Sequence, residues 1–252
     1  MPEPLFAIEG LRKTFPDGTE ALGGVDLEIR ASECLVIAGS NGSGKTLLMR
    51  MLVALAEPNA GRVLFRGKEV GADPDRVRRS VGLVFQDADA QVVGETVEED
   101  VAFGPKNLRL PAAEVGAAVD AALRATGLES KRASPPRRLS GGEKRRLAVA
   151  GVLAMGCEVI VMDEPFANLD WPGVVQVLRS IAALKAAGKT VVVLTHELEK
   201  VLALADRLVI LDRGRIRDDG KPEEVLSRGV APYGVRDPRQ TYERVEDCSW
   251  LA

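Results

Sequence analysis

The sequence predicts an α/β protein built around a parallel sheet. Three observations carry that expectation. Strand-like and helix-like segments alternate along most of the 252 residues. Two runs, "EVIVMD" and "TVVVLTH", stay apolar until they end in polar residues, as strands buried on both faces do. A third, "CLVIA" (34–38), runs directly into the glycine-rich "GSNGSGKT" and then into a helical pattern.

In chain order, residues 5–9 (LFAIE) and 26–30 (DLEIR) alternate and read as strands, with a Pro-Asp-Gly turn signal in "FPDGTEAL" between them. Residues 34–38 read as a fully buried strand. "TLLMRMLVALA" (46–56) has apolar residues in helical array, and Pro58, Asn59 and Gly61 stop it. "RVLF" and "VGLVFQ" (81–86) are further short strands. Residues 97–130 have helical spacing, broken at Gly104-Pro105 and at Pro111. "SPPRRLSGGEKRRLAVAGVLAM" is a proline-marked loop leading into a helix, and "RLVIL" adds one more strand. The last 22 residues, with Pro232, Pro238, Tyr242 and Trp250, show no clear pattern.

Composition narrows the function. Apolar residues at 46% and charged residues at 28% fit a soluble globular protein. A net charge of -3 and a pI of about 5.5 argue against broad contact with nucleic-acid phosphate. Cys34, Cys157 and Cys248 are scattered, without CxxC or Cys/His spacing, which points to a reducing compartment and away from zinc. No basic segment followed by a long apolar one opens the chain, and no run of 18 apolar residues would span a membrane.

The glycine-rich stretch is chemically specific. Gly39-x4-Gly44-Lys45-Thr46 is a phosphate-binding loop in its required context of strand before and helix after. Gly39, Ser40, Asn41, Gly42, Ser43 and Gly44 turn backbone N–H groups toward one point, and the helix start adds its positive dipole end. Lys45 can reach the β- and γ-phosphates of a nucleotide, and the Thr46 hydroxyl can ligate Mg²⁺. A plain glycine turn would explain the glycines but not a lysine at the helix start. In "VIVMDEP", Asp163 closes a buried strand and suits metal holding. Glu164 follows and suits polarising a water against the γ-phosphate. Alone, this pair would equally be a solvated strand end.

"LSGGEKRRLAVAG" (139–151) resembles the signature motif of the ATP-binding-cassette family. The other family marks follow in order over residues 5–226. Gln86 ends a strand as the family's Q-loop glutamine does, "ANLD" (167–170) matches the D-loop, and His196 follows "VVVLT" as the switch histidine does. Phe15 lies where the family has an aromatic that stacks on adenine. The resemblance implies a RecA-like phosphate-loop NTPase core with an N-terminal antiparallel β part and an inserted helical subdomain. On that pattern the chain is a single ATPase domain, 1–252, with core 1–89 and 154–226, helical subdomain 90–153 and C-terminal tail 227–252. ATP and Mg²⁺ are the implied ligands, with Thr46, Gln86 and Asp163 at the metal and Glu164, His196 and Gln86 in catalysis. Ser140 can cap a helix starting near Glu143, leaving the N–H groups of Gly141 and Gly142 bare. In the family, residues matching Leu139, Ser140, Gly141, Gly142, Glu143 and the D-loop Asp170 meet the nucleotide of a second subunit. Two ATP molecules are then sandwiched head to tail in a homodimer or a dimer with a paralogue.

"VGLVFQDADAQVVGETVEEDVAFGP" (81–105) is similar to the ATPases of energy-coupling-factor importers for vitamins, cobalt or nickel. The resemblance implies an integral membrane coupling protein and a substrate-capturing membrane protein as partners, and a peripheral position on the cytoplasmic face of the membrane. It also implies that the acids Glu95, Glu98, Glu99 and Asp100 face arginines of the partner's coupling helices; each reads equally as part of a solvated helix start, where acids favour the N-terminal dipole. Other ABC import or export ATPases are the alternative. DNA-repair and translation cassettes fit less well, because this chain has no coiled-coil insertion and only one cassette; no nucleic-acid partner is expected. Several positions depart from the family pattern: Ser40 for proline, Leu47 for a second hydroxyl residue, and Phe166 and Trp171 for smaller residues around the D-loop. Trp171 reads equally as an interface aromatic or as simple packing.

Overall fold

A computed structural model describes residues 3–240, so Tyr242, Cys248 and Trp250 lie outside the described residues. The chain opens with a hairpin, β1 (Phe6–Thr14) and β2 (Glu20–Ile29), both longer than the alternating segments that announce them. β3 (Cys34–Ala38) follows, buried at every residue, and leads into α1 (Lys45–Leu52). β4 (Ala60–Phe65) and the two-residue β5 (Lys68–Glu69) complete an antiparallel sheet of order β2-β1-β4-β5.

α2 (Pro74–Ser80) and β6 (Val81–Val84) lead to three helices: α3 (Val97–Asn107), α4 (Ala112–Thr126) and α5 (Gly141–Ala154). The chain then alternates: β7 (Val159–Asp163), α6 (Trp171–Ala186), β8 (Thr190–Thr195), α7 (Leu198–Val201), β9 (Arg207–Asp212), β10 (Arg215–Gly220) and α8 (Pro222–Arg228). The second sheet has the order β10-β9-β3-β8-β7-β6, parallel throughout except for β10 at its edge.

Side-chain alternation assigns each face of this sheet to a core. Leu35, Ile37, Val161, Val192 and Leu194 pack toward α1 and the antiparallel sheet. Val36, Ala38, Ile160, Met162 and Val193 pack toward α5, α6 and α8. A third cluster, with Val101, Val119, Leu123 and Leu147, joins α3, α4 and α5. Because the strands are parallel, the ends of β3, β6, β7 and β8 all open on one edge of the sheet, which is where open α/β sheets bind ligands.

Three local expectations are corrected. α1 stops at Leu52 rather than running to residue 56, because Ala54 takes a left-handed conformation (φ 52°). Leu55 N–H then bonds the Arg50 carbonyl (2.8 Å) and Ala54 N–H the Met51 carbonyl (3.3 Å). That is a Schellman cap built on alanine where the sequence rule looks for glycine. α3 is not broken at Gly104-Pro105 but passes through both. Gly104 is there for close packing: a Cβ on it would lie 2.4 Å from Met155 Cγ at the end of α5. β6 ends at Val84, so Gln86 lies two residues beyond the strand.

β10 was not expected. It is polar, and it turns back on β9 through Arg213 (φ 47°) and Gly214 (φ 68°), a pair of left-handed residues suited to a two-residue hairpin. The patternless C-terminal stretch is partly anchored, since Val235 is buried in the second core. Its Gly234 closes on the back of the glycine loop, where a Cβ would stand 3.2 Å from Ser40 Cβ.

Candidate functional site

The loop between β3 and α1 builds the centre. Gly39 leaves β3 so close to the Leu211 carbonyl that a Cβ would come within 2.1 Å of it. Gly44 is the N-cap of α1 at φ 105°, with no capping side chain, so the first N–H groups of the helix point into the loop. Lys45 is 6% exposed; its Nζ donates to the carbonyls of Gly39 (2.7 Å) and Ser40 (3.2 Å) and stands 3.5 Å from Glu164 Oε1. A cation thus sits over the amide concavity, and both features select anions.

The two acids at the end of β7, Asp163 within it and Glu164 just past it, have different surroundings. Asp163 Oδ2 accepts from the Thr46 hydroxyl (2.7 Å), while its buried Oδ1 has no partner. An orphaned carboxylate oxygen beside a hydroxyl is the donor set a Mg²⁺ ion takes, so the residues present fit that metal. When bound, the ion would neutralise charge on the terminal phosphates. Glu164 adopts a left-handed backbone (φ 45°), held by its N–H on the Leu194 carbonyl (2.8 Å). Its Oε2 accepts from the Thr195 hydroxyl (3.1 Å), and its Oε1 meets His196 Nδ1 (3.0 Å). A strained, twice-anchored carboxylate aimed at the loop lysine suits a base that must not wander.

Asp163 yields a stability prediction. Burial pushes its carboxyl above the usual range, the Thr46 hydroxyl lowers it less, and neighbouring Glu164 raises it further. A carboxyl raised by folding favours the fold while protonated, and that contribution is lost as pH rises through its folded value. Above that folded value the ionised group costs stability. Asp163→Asn should raise the melting temperature without nucleotide or magnesium by about 2–4 °C, the shift of ~1 kcal/mol in a chain this size. Circular-dichroism melts check it; a lowered melting temperature would show that the charge supports the fold.

A cavity of about 470 Å³ collects loop residues 41–46 with Phe15, Leu47, Gln86 and Glu164. Phe15 is partly exposed there. His196 joins through Glu164, and Gly39 and Ser40 form the back of the loop. The predicted residues 139–143 and Asp170 do not line this cavity. Ser140 is the N-cap of α5, which starts at Gly141 rather than near Glu143. Ser140 Oγ accepts from Glu143 N–H (3.3 Å) and Glu143 Oε2 accepts from Ser140 N–H (2.8 Å), a capping box that also lowers the Glu143 carboxyl. Ser140 and Gly141 face outward, and Leu139 is buried. Asp170 caps α6 by accepting from Gly173 N–H (2.9 Å). Trp171 is 80% exposed, which rules out packing within the described chain, whereas Phe166 is in the core.

Two residues at the site escaped the sequence reading. Thr195, the last residue of β8, anchors Glu164; a hydroxyl ending an apolar strand was the available signal. Arg145 is buried on α5 and donates to the carbonyls of Phe85 and Gln86. Its signal was a charge at i, i+3, i+4, i+7 spacing with the core residues Ala148, Val149 and Val152.

Three of the four acids expected to meet a partner have local roles. Asp100 is buried and accepts from the N–H groups of Val93 (2.7 Å) and Gly94 (2.9 Å). Glu99 and Thr96 form a capping box at the start of α3, and Glu98 pairs with Arg132 at 2.7 Å.

An amide-lined loop with its lysine beyond one buried strand, and a metal-suited aspartate and an anchored glutamate at the end of another, divide phosphate binding from water activation. That is the organisation of a phosphate-loop nucleoside triphosphatase. Residues 22–167 match the ABC transporter family, and the chain belongs to it: it is an ATP-binding, ATP-hydrolysing protein of that family. It is 42% identical to the energy-coupling factor transporter ATP-binding protein EcfA of Methanocaldococcus jannaschii, over 89% of this chain and 82% of that one. It is 44% identical to the cobalt import ATP-binding protein CbiO of Rhodobacter capsulatus, over 93% and 86%. The solved structure of CbiO1 from Clostridium perfringens, part of the ABC transporter complex CbiONQ, superposes with a TM-score of 0.82 at 35% identity, covering 91% of this chain and 95% of that one. Among the described residues no helix is long and apolar enough to cross a membrane.

Proposed function

We propose that this protein is the ATPase subunit of an energy-coupling-factor importer for a transition metal ion or a vitamin. Two copies, or one copy and a paralogue, close on MgATP at the cytoplasmic face of the membrane and drive an integral coupling protein that works with a substrate-capturing subunit. The carrying observation is the cavity that unites Lys45, Gln86 and the anchored Glu164, supported by relatives named EcfA and CbiO. In this reading residues 39–46 bind the triphosphate and Phe15 stacks on the base. Thr46, Asp163 and Gln86 serve the metal. Glu164 activates water and His196 positions it. Residues 139–143 and Asp170 meet the nucleotide bound by the other subunit. The helical subdomain 90–153 moves against the core between these states.

In this reading the coupling protein meets a largely apolar cavity that Asp100 of the acidic run also lines. Val93 (58% exposed) and Phe103 (49% exposed) flank a cavity of about 240 Å³ floored by Gly82, Val152 and Met155, between the helical part and β6. An aromatic anchor at the centre of an interface can account for ~2 kcal/mol or more of binding. Phe103→Glu should therefore lower co-purification with the membrane subunit from detergent at least tenfold, leaving the soluble ATPase rate within about twofold. Full co-purification and normal uptake in reconstituted vesicles would sink the docking assignment. Loss of vesicle transport for every tested metal and vitamin with the unaltered protein would sink the importer class.

A further inference from the structure

The segment that carries Gln86 has no strand to hold it, since β6 ends at Val84. Side chains hold it instead. Gln91 spans its base, accepting from Phe85 N–H (3.1 Å) and donating to the Leu83 carbonyl (2.8 Å). Asp87 Oδ1 accepts from Asp89 N–H (3.0 Å). The remaining two fixtures both come from α5. Lys144 pairs with Asp89, and Arg145 places Nη1 on the Phe85 carbonyl and Nη2 on the Gln86 carbonyl (2.6 Å).

Arg145 is the unusual member. It is 4% exposed, and among the described residues its Nε has no partner and it makes no salt bridge, although Asp163 and Asp87 lie near enough to favour its charge. Burying a guanidinium against carbonyls rather than a carboxylate is a poor way to stabilise a fold. It is a good way to fix a main chain, because the planar fork engages two successive carbonyls in one orientation. The helix that supplies it begins, less than two turns upstream, at Ser140 and Gly141.

We propose that Arg145 is a positioning residue that ties Gln86 to the N-terminal end of α5, so that the outward-facing 140–142 turn and Gln86 move as one body. The tie makes the placement of Gln86 at the metal and water depend on where α5 stands. It rests on the reading of Gln86 as a site residue in ATP hydrolysis.

A double-mutant cycle on the purified full chain tests it. Arg145→Gln should lower kcat about ten- to a hundredfold, the cost of displacing a group near the reacting atoms by about an ångström. KM should change by less than about threefold, since the phosphate loop is untouched. Gln86→Ala should lower kcat similarly, and the double variant should fall no further. Arg145→Lys should recover part of the rate, because an ammonium can still reach one carbonyl. Additive losses, or a lysine variant as slow as the glutamine one, overturn the tie and leave Arg145 a fold residue. An unaltered kcat in Gln86→Ala removes the reading of Gln86, and the tie with it. The unsubstituted protein offers a second readout should the Arg145 variants not fold. Adding magnesium with a non-hydrolysable ATP analogue should change amide hydrogen exchange in residues 85–90 and 141–144 together. A change in only one segment, or in neither, overturns the tie.

Discussion

Lys45→Ala is expected to lower ATP turnover about a thousandfold, as removal of a preorganised charge at a developing anion does, and to remove most nucleotide binding. Lys45 Nζ sits on the carbonyls of Gly39 and Ser40, within the ring of amides that Gly44 and α1 provide. Without it the loop keeps its N–H donors but loses the full positive charge that faces the terminal phosphates. The fold should survive, because Glu164 keeps its bonds to Thr195 and His196 when Lys45 is gone. A circular-dichroism melt therefore separates loss of chemistry from loss of structure. Phosphate release and fluorescent-nucleotide titration are the measurements, and turnover within tenfold of the parent would sink the phosphate-loop assignment.

What the sequence disclosed and what it hid follow one physical line. The glycine loop, the acid pair at the end of β7 and His196 stood out because their chemistry demands particular residue types at fixed spacing, and the parallel sheet delivers them to one edge, with Thr46 on Asp163 and His196 on Glu164. β3 was legible to the residue, since a strand buried on both faces leaves no room for a polar interruption. The hidden features belong to contacts between distant segments. α1 ends at Leu52, and the left-handed turn that closes it falls on Ala54, where propensity looks for glycine. Gly104-Pro105 reads as a break, yet its glycine is set by Met155 fifty residues on. β10 is polar because it is an edge strand, so no apolar run betrays it. The acids 98–100 look like a docking patch in sequence. In space they are a capping box, a buried cap and an ion pair to Arg132, the ordinary work of acids at a helix N-terminus.

Glu164→Gln is expected to bind ATP normally and to lose hydrolysis by about a hundredfold or more, the range that general-base removal costs. The substitution is nearly isosteric. The amide oxygen can still accept from Thr195 or His196, though not from both in the present arrangement, and the left-handed backbone at 164 is no worse for Gln than for Glu. The site therefore keeps its shape while the amide cannot take a proton from water. If ATP closes two subunits over one another, nucleotide that is not hydrolysed holds them closed. MgATP should then move the Glu164→Gln protein from monomer to dimer in size-exclusion chromatography, and MgADP should not. Ser140 supplies the control for how the subunits meet. It is exposed at the start of α5 and does not line the cavity at its own chain's loop; in the proposed dimer it lies over a second copy's phosphates. Ser140→Arg in the Glu164→Gln background should abolish the dimer by filling that space. Ser140→Ala loses only the capping bond, worth ~1 kcal/mol, and should dimerise. A Glu164→Gln protein that hydrolyses at the parent rate removes Glu164 from the chemistry. A dimer that forms as well with arginine at position 140 means that the signature turn does not face the partner's nucleotide.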